Sequence, residues 1–255
     1  MIKLKTKEDV AILREGGHRH AAILRELAAM VRPGVTALEL ETRAQALIRE
    51  GGDASAFMNY TPYGADRPYP ASLCVSVNDE IVHGIPNEGE KILKEGDIVS
   101  LDLGLTHKGL ITDAAVTVAV GSIDADLTKL LADTKTALLA GIKAAKGGKR
   151  VGDISSAIER VGVAGGYGII EELSGHGVGY HVHEDPYVPN YGEAGQGEVL
   201  KPGMVIAIEP MFNLGTRAIE LDADGYTYRT ADGEPSAHFE HTVLITKGDA
   251  EILTA

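Results

Sequence analysis

The sequence predicts an α+β fold made of two related halves. Amphipathic helical stretches and strand-like runs both occur along the 255 residues, and 44% of these residues are hydrophobic, which is enough for a large core. The order helix, histidine, strand ending in an acid, strand beginning with an acid occurs twice. We therefore expect two halves facing each other about a pseudo-two-fold axis, within a single domain over residues 1–255.

Helices are predicted from apolar residues at helical spacing and from capping signals. The first covers residues 7–30, where Thr6 and Asp9 resemble a capping box. A second helix begins at Thr36 and stops before Gly51. Two further helices are expected over residues 126–146 and 153–161.

Strands are predicted between and after these helices. Residues 53–70 lack periodicity, which is typical of a loop or a pocket wall, and residues 71–82 suggest a hairpin. Two strand-like runs then follow, joined by residues 106–109. The last third, residues 199–254, returns to strands, and Asp-Gly at 224–225 indicates another hairpin.

The duplication rests on short segments that recur in the same order. ILKEG at 92–96 precedes a strand ending in Asp102, and VLKPG at 199–203 precedes a strand ending in Glu209. Asp113 and Glu240 each open an apolar strand. Chance similarity between short β segments is the alternative. If the halves pair, these four carboxylates converge at the axis.

Clustered carboxylates on apolar strands need compensation. If the β-turn centres on His107 and Lys108, Asp102 and Asp113 are cross-strand partners with Cβ atoms roughly 4.5–5.5 Å apart, where like charges destabilise a sheet. Two-metal sites, with ions ~3.5–4 Å apart, suit such a pair. Buried without a cation, the four acids would pay a large desolvation cost. Surface acids on edge strands are the alternative.

A glycine-rich stretch, SGHGVGYHVHEDP at 174–186, carries His176, His181 and His183. Glycines allow close backbone approach, and imidazoles bind metals or move protons. A turn carrying surface histidines is the alternative interpretation. One imidazole added to four carboxylates favours transition metals over calcium.

Composition excludes several classes of protein. The formal net charge of −13 argues against nucleic acid or an anionic membrane surface as the main partner. Cys74 is the only cysteine, so the sequence excludes an intrachain disulfide and a cysteine-rich zinc site. The N-terminal residues lack the apolar core of a signal peptide, and no apolar run is long enough to span a membrane. We expect a cytoplasmic protein.

Nearly the whole chain resembles the type I methionine aminopeptidases, which are dinuclear metallopeptidases of the pita-bread fold. The motifs that carry the resemblance are LKEGDIVSLDLG with an Asp eleven residues after Asp102, SGHGVG with HEDP, LKPGMVIAIEPM and HFEHTV. The resemblance implies antiparallel sheet with helices packed outside. It also implies removal of N-terminal methionine from nascent proteins and peptides by metal-assisted hydrolysis, with two divalent ions chosen from Co, Mn, Fe, Ni or Zn.

The resemblance also assigns roles to individual residues. It implies five metal ligands: Asp102, Asp113, His176, Glu209 and Glu240. Asp113 and Glu240 would bridge the ions, and Glu209 would also carry a proton. His83 and His183 would contact the substrate and stabilise the intermediate, whereas His181 has no counterpart and is expected to be solvated.

The methionine pocket is expected to be lined by Tyr69, Cys74 and Tyr226, with ordinary core packing as the alternative for each. The chain departs from the family pattern at Arg67, where a histidine is common, at Val182, where a Phe is frequent, and at Tyr226, which is often Trp. These departures concern the lining of the pocket rather than the metal chemistry.

Three other functions compete with this interpretation. A prolidase-like peptidase would share the ligands but usually has an extra N-terminal domain. A peptide-binding module could keep the fold without catalysis, although all five ligands are present. A nucleotide-binding role for GGKRVGD at 147–153 lacks the Gly-Lys-Ser/Thr of a phosphate loop. The expected partners are peptide N-termini, with no nucleic acid or membrane; a monomer is expected, and docking on ribosomes is left open.

Overall fold

The computed structural model describes residues 2–62 and 64–255. Its helices are α1 (Lys7–Met30), α2 (Ala37–Glu50), α3 (Ala125–Ala144) and α4 (Val151–Gly165). Thr6 with Asp9 forms the predicted capping box, and Thr36 with Glu39 forms a second one at the start of α2, each threonine side chain accepting a backbone N–H of the first turn. The four predicted helices are confirmed, the first with both of its boundaries and the others with boundaries shifted by at most four residues.

The strands follow in chain order. They are β1 (Ala54–Ser55), β2 (Leu73–Val77), β3 (Glu80–Val82), β4 (Ile98–His107), β5 (Leu110–Ala119), β6 (Gly168–Ile169), β7 (Ser174–Gly177), β8 (Glu184–Pro189), β9 (Val205–Ile208), β10 (Met211–Asn213), β11 (Ile219–Leu221), β12 (Tyr228–Thr230), β13 (Ser236–His238), β14 (His241–Leu244) and β15 (Glu251–Ile252). The strand pairs are antiparallel, and the predicted hairpin around Asp224 joins β11 to β12.

Two of the sheets form the centres of the two halves. In the first, β4 lies between β1 and β2 and also pairs with β5; in the second, the order is β15-β14-β9-β7-β8. Helices α1 and α2 pack on the first sheet through a core that includes Leu27, Leu40 and Leu101. Helices α3 and α4 pack on the second through a separate core that includes Leu130 and Ile206.

The two halves repeat each other in detail. The N-cap of α2, Thr36, forms an isolated β-bridge with Ile92, and the N-cap of α4, Arg150, forms the corresponding bridge with Val199. Ile92 and Val199 are the first residues of the two recurring segments, ILKEG and VLKPG. The predicted duplication is therefore confirmed by equivalent contacts at equivalent positions.

The halves meet along β5 and β14. Ala115 and Glu240 exchange backbone hydrogen bonds, with the Glu240 N–H 2.9 Å from the Ala115 oxygen. The Thr242 hydroxyl accepts from the Asp113 N–H at 2.8 Å and donates to the Asp113 carbonyl at 2.7 Å. We call this contact the seam; it places one acid from each half beside the other.

The predicted register of the β4–β5 hairpin is wrong. Asp102 lies opposite Ala115, and Asp113 lies opposite Gly104, so the two acids are diagonal neighbours inside their strands. The turn falls on Lys108 and Gly109, both with positive φ, as a two-residue type I′ turn requires. The shift is an even number of residues, so both acids still lie on the same face of the sheet.

The hairpin predicted over residues 71–82 is also wrong. The chain does turn at Asn78, which has a φ of 54°, but β2 pairs with β4 whereas β3 pairs with β12. The turn moves the chain from one sheet to another, and the chain returns to β2 only after β3, where the Val75 N–H donates to the Gly84 carbonyl. Among the described residues, no helix is both long and apolar enough to cross a membrane.

Candidate metal centre

A cavity of about 150 Å³ opens between the two halves. Every site residue predicted from the sequence lines it: His83, His183, Tyr69, Cys74, Tyr226, Asp102, Asp113, His176, Glu209 and Glu240. These residues come from segments up to 171 positions apart in the chain, from Tyr69 to Glu240. The fold therefore brings the whole predicted set to one place.

Strands β4 and β5 supply the two aspartates. The β4 residue opposite Asp113 is Gly104. A side chain has no room at this position, because a Cβ would lie 2.5 Å from the ring of Phe57. The alternation of the strand puts the apolar residues of β4 toward α1 and α2, while Asp102 faces the cavity. Both carboxylates are almost fully buried.

The second half supplies His176 from β7, Glu209 directly after β9, and Glu240 directly before β14. The Nε2 atom of His176 is 3.4 Å from Glu209 Oε1 and 4.0 Å from Asp113 Oδ2. Its Nδ1 lies 2.9 Å from the Gly177 carbonyl oxygen, which can only accept. In the neutral ring Nδ1 therefore carries the proton, and Nε2 presents a lone pair to the acids.

Buried oxygens in this cluster have no hydrogen-bond partner among the described residues. They are Asp102 Oδ1, Asp113 Oδ1 and Glu240 Oε1. A buried carboxylate left in this way costs free energy unless it is protonated or binds a cation. One ligand atom each from Asp113, His176 and Glu240 lies within 4.8 Å of the others. These observations fit the donor set of a divalent metal.

The electrostatics favour the same interpretation. Burial raises the pKa of Asp102 to about 7. Burial together with the neighbouring acids holds the pKa values of Asp113, Glu209 and Glu240 well above their usual range. Burial lowers the pKa of His176 to about 3, which keeps its ring neutral. A cation would reverse the shifts of the acids, since it stabilises their charged forms.

Two further histidines lie beside the acids. The imidazoles of His176 and His183 have ring centroids 4.5 Å apart, and His183 Nδ1 is 2.9 Å from the Tyr60 hydroxyl. His83 has a φ of 59°, and its ring packs edge-on against Tyr228. Burial lowers the pKa of His83 to about 4, so its ring is neutral at pH 7. A non-glycine residue held at positive φ beside a cavity is typical of functional sites.

The family is decided by comparison with known proteins. The model of metallopeptidase family M24 matches residues 11–247. The chain belongs to metallopeptidase family M24. It is 43% identical over 255 residues to the methionine aminopeptidase of Aquifex aeolicus (strain VF5), covering 99% of this chain and 98% of the relative. The predicted resemblance to methionine aminopeptidases is confirmed.

Solved structures of M24 proteins agree. The crystal structure of methionine aminopeptidase from Thermotoga maritima matches with a TM-score of 0.94 at 43% identity, covering 100% of this chain and 99% of that one. The Xaa-Pro dipeptidase from Bacillus anthracis matches at 0.76 and 23% identity, and this chain covers 61% of it. The latter match shows a shared fold only. The predicted pita-bread α+β fold is confirmed.

Metal removal should give this M24 protein an unusual pH dependence. In the unfolded chain the four carboxyls ionise near pH 4, but in the metal-free fold the pKa of Asp102 is raised to about 7 and the pKa values of the other three acids are also raised well above their usual range. The contribution of these four acids to the stability of the metal-free protein is therefore full below about pH 4 and falls as the pH rises toward 7, because the unfolded state binds fewer protons.

Thermal unfolding of chelated and metal-loaded protein at pH 5 and pH 8 checks this expectation. Bound cations take the place of the protons, so we expect the difference in Tm to be larger at pH 8. A difference that stays constant, or is larger at pH 5, would contradict the burial of these charges.

The far wall of the cavity is aromatic and sulfur-containing. Tyr69 and Tyr226 have ring centroids 5.2 Å apart, and Cys74 lies on β2 opposite Asp102. Burial, and then the charge of Asp102, raises the pKa of the Cys74 thiol, so it stays protonated. Cys74 therefore both packs in a small core and lines the cavity.

Two of the positions that depart from the family pattern, Val182 and Tyr226, line the cavity, and the third, Arg67, contacts Tyr226. Val182 is buried and lines the cavity. The guanidinium of Arg67 binds Glu88 and the Asp224 carbonyl, and the Tyr226 hydroxyl donates to the Arg67 carbonyl. Arg67 thus contacts the cavity lining through its carbonyl, which holds the Tyr226 hydroxyl, while its guanidinium is held by Glu88 and Asp224. His181 is exposed, as expected of a solvated side chain.

Two residues at the site give little or no signal in the sequence and were not predicted. His238 lies in the motif HFEHTV, two residues before Glu240, and its Nε2 is 3.6 Å from Glu209 Oε2. Both of its ring nitrogens are buried without a partner among residues 2–62 and 64–255. The period of an extended strand, which puts residues two apart on one face, could have revealed it. Tyr60 gave no signal, because it lies in a loop without periodicity.

Proposed function

We propose that this chain removes N-terminal methionine from peptides and nascent proteins by hydrolysis at a centre of two divalent metal ions. One observation carries the proposal: three buried carboxylates, the largely buried carboxylate of Glu209 and the Nε2 of His176 surround a single cavity, with two more histidines beside them. The methionine aminopeptidases that the chain resembles over its full length support the choice of substrate.

The ligands proposed for the ions are Asp102, Asp113, His176, Glu209 and Glu240. Divalent ions held there would supply hydroxide near neutral pH by lowering the pKa of water. Asp113 and Glu240 are the proposed bridging ligands, since each comes from a different half and the seam holds their backbones together.

Residues that line the cavity are proposed to transfer protons and to stabilise the negative charge that develops on the substrate. Glu209 is the proposed proton carrier because its carboxylate borders the cavity and lies beside His176 and His238. A carboxylate in this position can take a proton from water and return it to the leaving amine. His183 is proposed to donate to the negative charge that develops on the substrate carbonyl oxygen, with Tyr60 orienting its ring. His83, which lines the same cavity, is proposed to contact the substrate.

Tyr69, Cys74 and Tyr226 are the proposed receptors of the methionine side chain. Thioether sulfur interacts favourably with aromatic rings, and the two tyrosine rings are set at 74° to each other at the end of the cavity. The same three residues pack with Ala71 and Ile85 in one small apolar cluster, which suits an apolar side chain.

Activity assays in chelator-stripped buffer test the proposal. We expect hydrolysis of Met-Gly-Met-Met when Co, Mn, Fe, Ni or Zn is added back singly, and no hydrolysis without metal. An Xaa-Pro dipeptide is the matched substrate for a prolidase-like enzyme, and faster turnover of that dipeptide would contradict the proposal. No turnover of either substrate with any metal would favour a binding module. Cytoplasmic location, a single catalytic domain over 1–255, a monomeric state and docking on ribosomes remain proposals.

A further inference from the structure

A buried ion pair joins the segment before α1 to the loop of residues 179–184, which carries His183. The pair does not line the cavity. Lys5 Nζ is 2.6 Å from Glu184 Oε2, and the two side chains are only 1% and 9% exposed. Burying two charges costs a large desolvation free energy, so such a pair is a poor source of stability by itself. Its position relative to His183 suggests another role.

Glu184 organises the loop that carries His183. Its second oxygen, Oε1, accepts the backbone N–H of Tyr180 at 2.5 Å and that of His181 at 3.0 Å. The carboxylate thus closes residues 180–184 into a compact turn, and His183 is its direct neighbour in the chain. One oxygen of Glu184 holds the turn while the other is held by Lys5.

Lys5 is itself fixed in place. Its N–H donates to the Gly203 carbonyl at 2.8 Å, and its ammonium lies 4.3 Å from the centre of the Tyr180 ring. Its stem lies against Gly179, where an added Cβ would overlap Lys5 Cε. Gly179 has a φ of 135°, which only glycine adopts readily. The segment before α1 is therefore fitted to this loop by both charge and shape.

The ring of His183 contacts two side chains: the ring and hydroxyl of Tyr60, in another loop, and the ring of His176. The backbone that carries this ring belongs to residues 179–184, which Glu184 closes into a turn. We propose that Lys5 and Glu184 are positioning residues that hold His183 against the candidate metal centre. This inference rests on the proposed function, in which His183 contacts the substrate.

Kinetics of Lys5→Met test the role. We expect kcat on Met-Gly-Met-Met to fall about 10- to 100-fold, because a shift of about 1 Å in a catalytic group can have such an effect. KM and metal content should stay near those of the parent protein, and Lys5→Arg should recover most of the activity. Lys3→Met is the matched control, since Lys3 is exposed and lies farther from the Tyr180 ring.

A double-mutant cycle separates positioning from a general structural role. In a His183→Ala background, Lys5→Met should cause no further loss of kcat, because the group that it positions is already absent. An equal further loss in that background would overturn the proposal. If Lys5→Met does not fold, the double variant Lys5→Met with Glu184→Gln, which has no unpaired charge and keeps the acceptor Oε1, takes its place in the cycle.

An NMR measurement keeps this test separate from that of the proposed function. The imidazole signals of His183 should shift or broaden in Lys5→Met, while those of His20, buried beside Thr112, stay unchanged. An inactive parent protein would defeat the proposed function, and the NMR result would still decide whether Lys5 positions His183. Unchanged His183 signals would overturn the inference.

Discussion

Glu240→Ala is expected to abolish activity by removing a ligand that we propose is shared by both ions. The loss of kcat/KM should be about a thousandfold or more, since a metal centre supplies several kcal/mol of transition-state stabilisation. Metal content after dialysis, measured by atomic emission, should fall for both ions together. Full activity in this variant would contradict the shared-ligand model, and loss of a single ion would contradict the bridging role.

Glu41→Gln provides a matched control for this variant. Glu41 is also a buried acid, but hydrogen bonds from the N–H groups of Ser72 and Leu73 and from the Gln45 side chain already satisfy both of its oxygens. The control should retain both metal binding and activity, although the protein is expected to unfold at a lower temperature. If Glu41→Gln also loses metal, the effect of Glu240→Ala reports a general loss of structure.

His183→Ala is expected to separate catalysis from metal binding. The variant should bind metal as the parent does, because the proposed ligand on this stretch is His176, while kcat falls about 100- to 1000-fold through loss of an oxyanion donor. His176→Ala should instead lose the metal. His181→Ala, two residues from His183 and exposed, is the control and should behave as the parent. Equal metal loss in His176→Ala and His183→Ala would show that the two roles are assigned wrongly.

Local sequence signals predicted the fold well where chemistry acts within a few residues. The capping boxes at Thr6 and Thr36 mark both helix starts, because the N-cap side chain meets the backbone N–H three residues on wherever a helix begins in this way. The register of β4 and β5 was predicted wrongly because the turn was centred one residue too early. The turn residue Lys108 adopts a positive φ, which is not typical of lysine. The Gly109 beside it was the better guide, since the second position of a type I′ turn favours glycine.

The candidate site was predictable as far as its members lie on regular strands. Acids on apolar strands are conspicuous, and for this reason the sequence alone indicates Asp102, Asp113, Glu209 and Glu240. Their mutual distances could not be predicted, since these depend on how β5 meets β14. The contacts of Tyr60 with His183 and of Lys5 with Glu184 could not be predicted either. Each joins residues more than a hundred positions apart, and Tyr60 and Lys5 lie in segments without hydrophobic periodicity.

The seam between β5 and β14 gives the proposed ions a second role. The first half contributes Asp102 and Asp113, and the second contributes His176, Glu209 and Glu240, so neither half can form the centre alone. Without a cation, acids from both sides either repel each other across this junction or must take up protons. An ion bound between them would act as a cross-link, and the free energy of its binding would add to the docking of the halves. Chelation would then loosen the architecture of the protein as well as stop its chemistry.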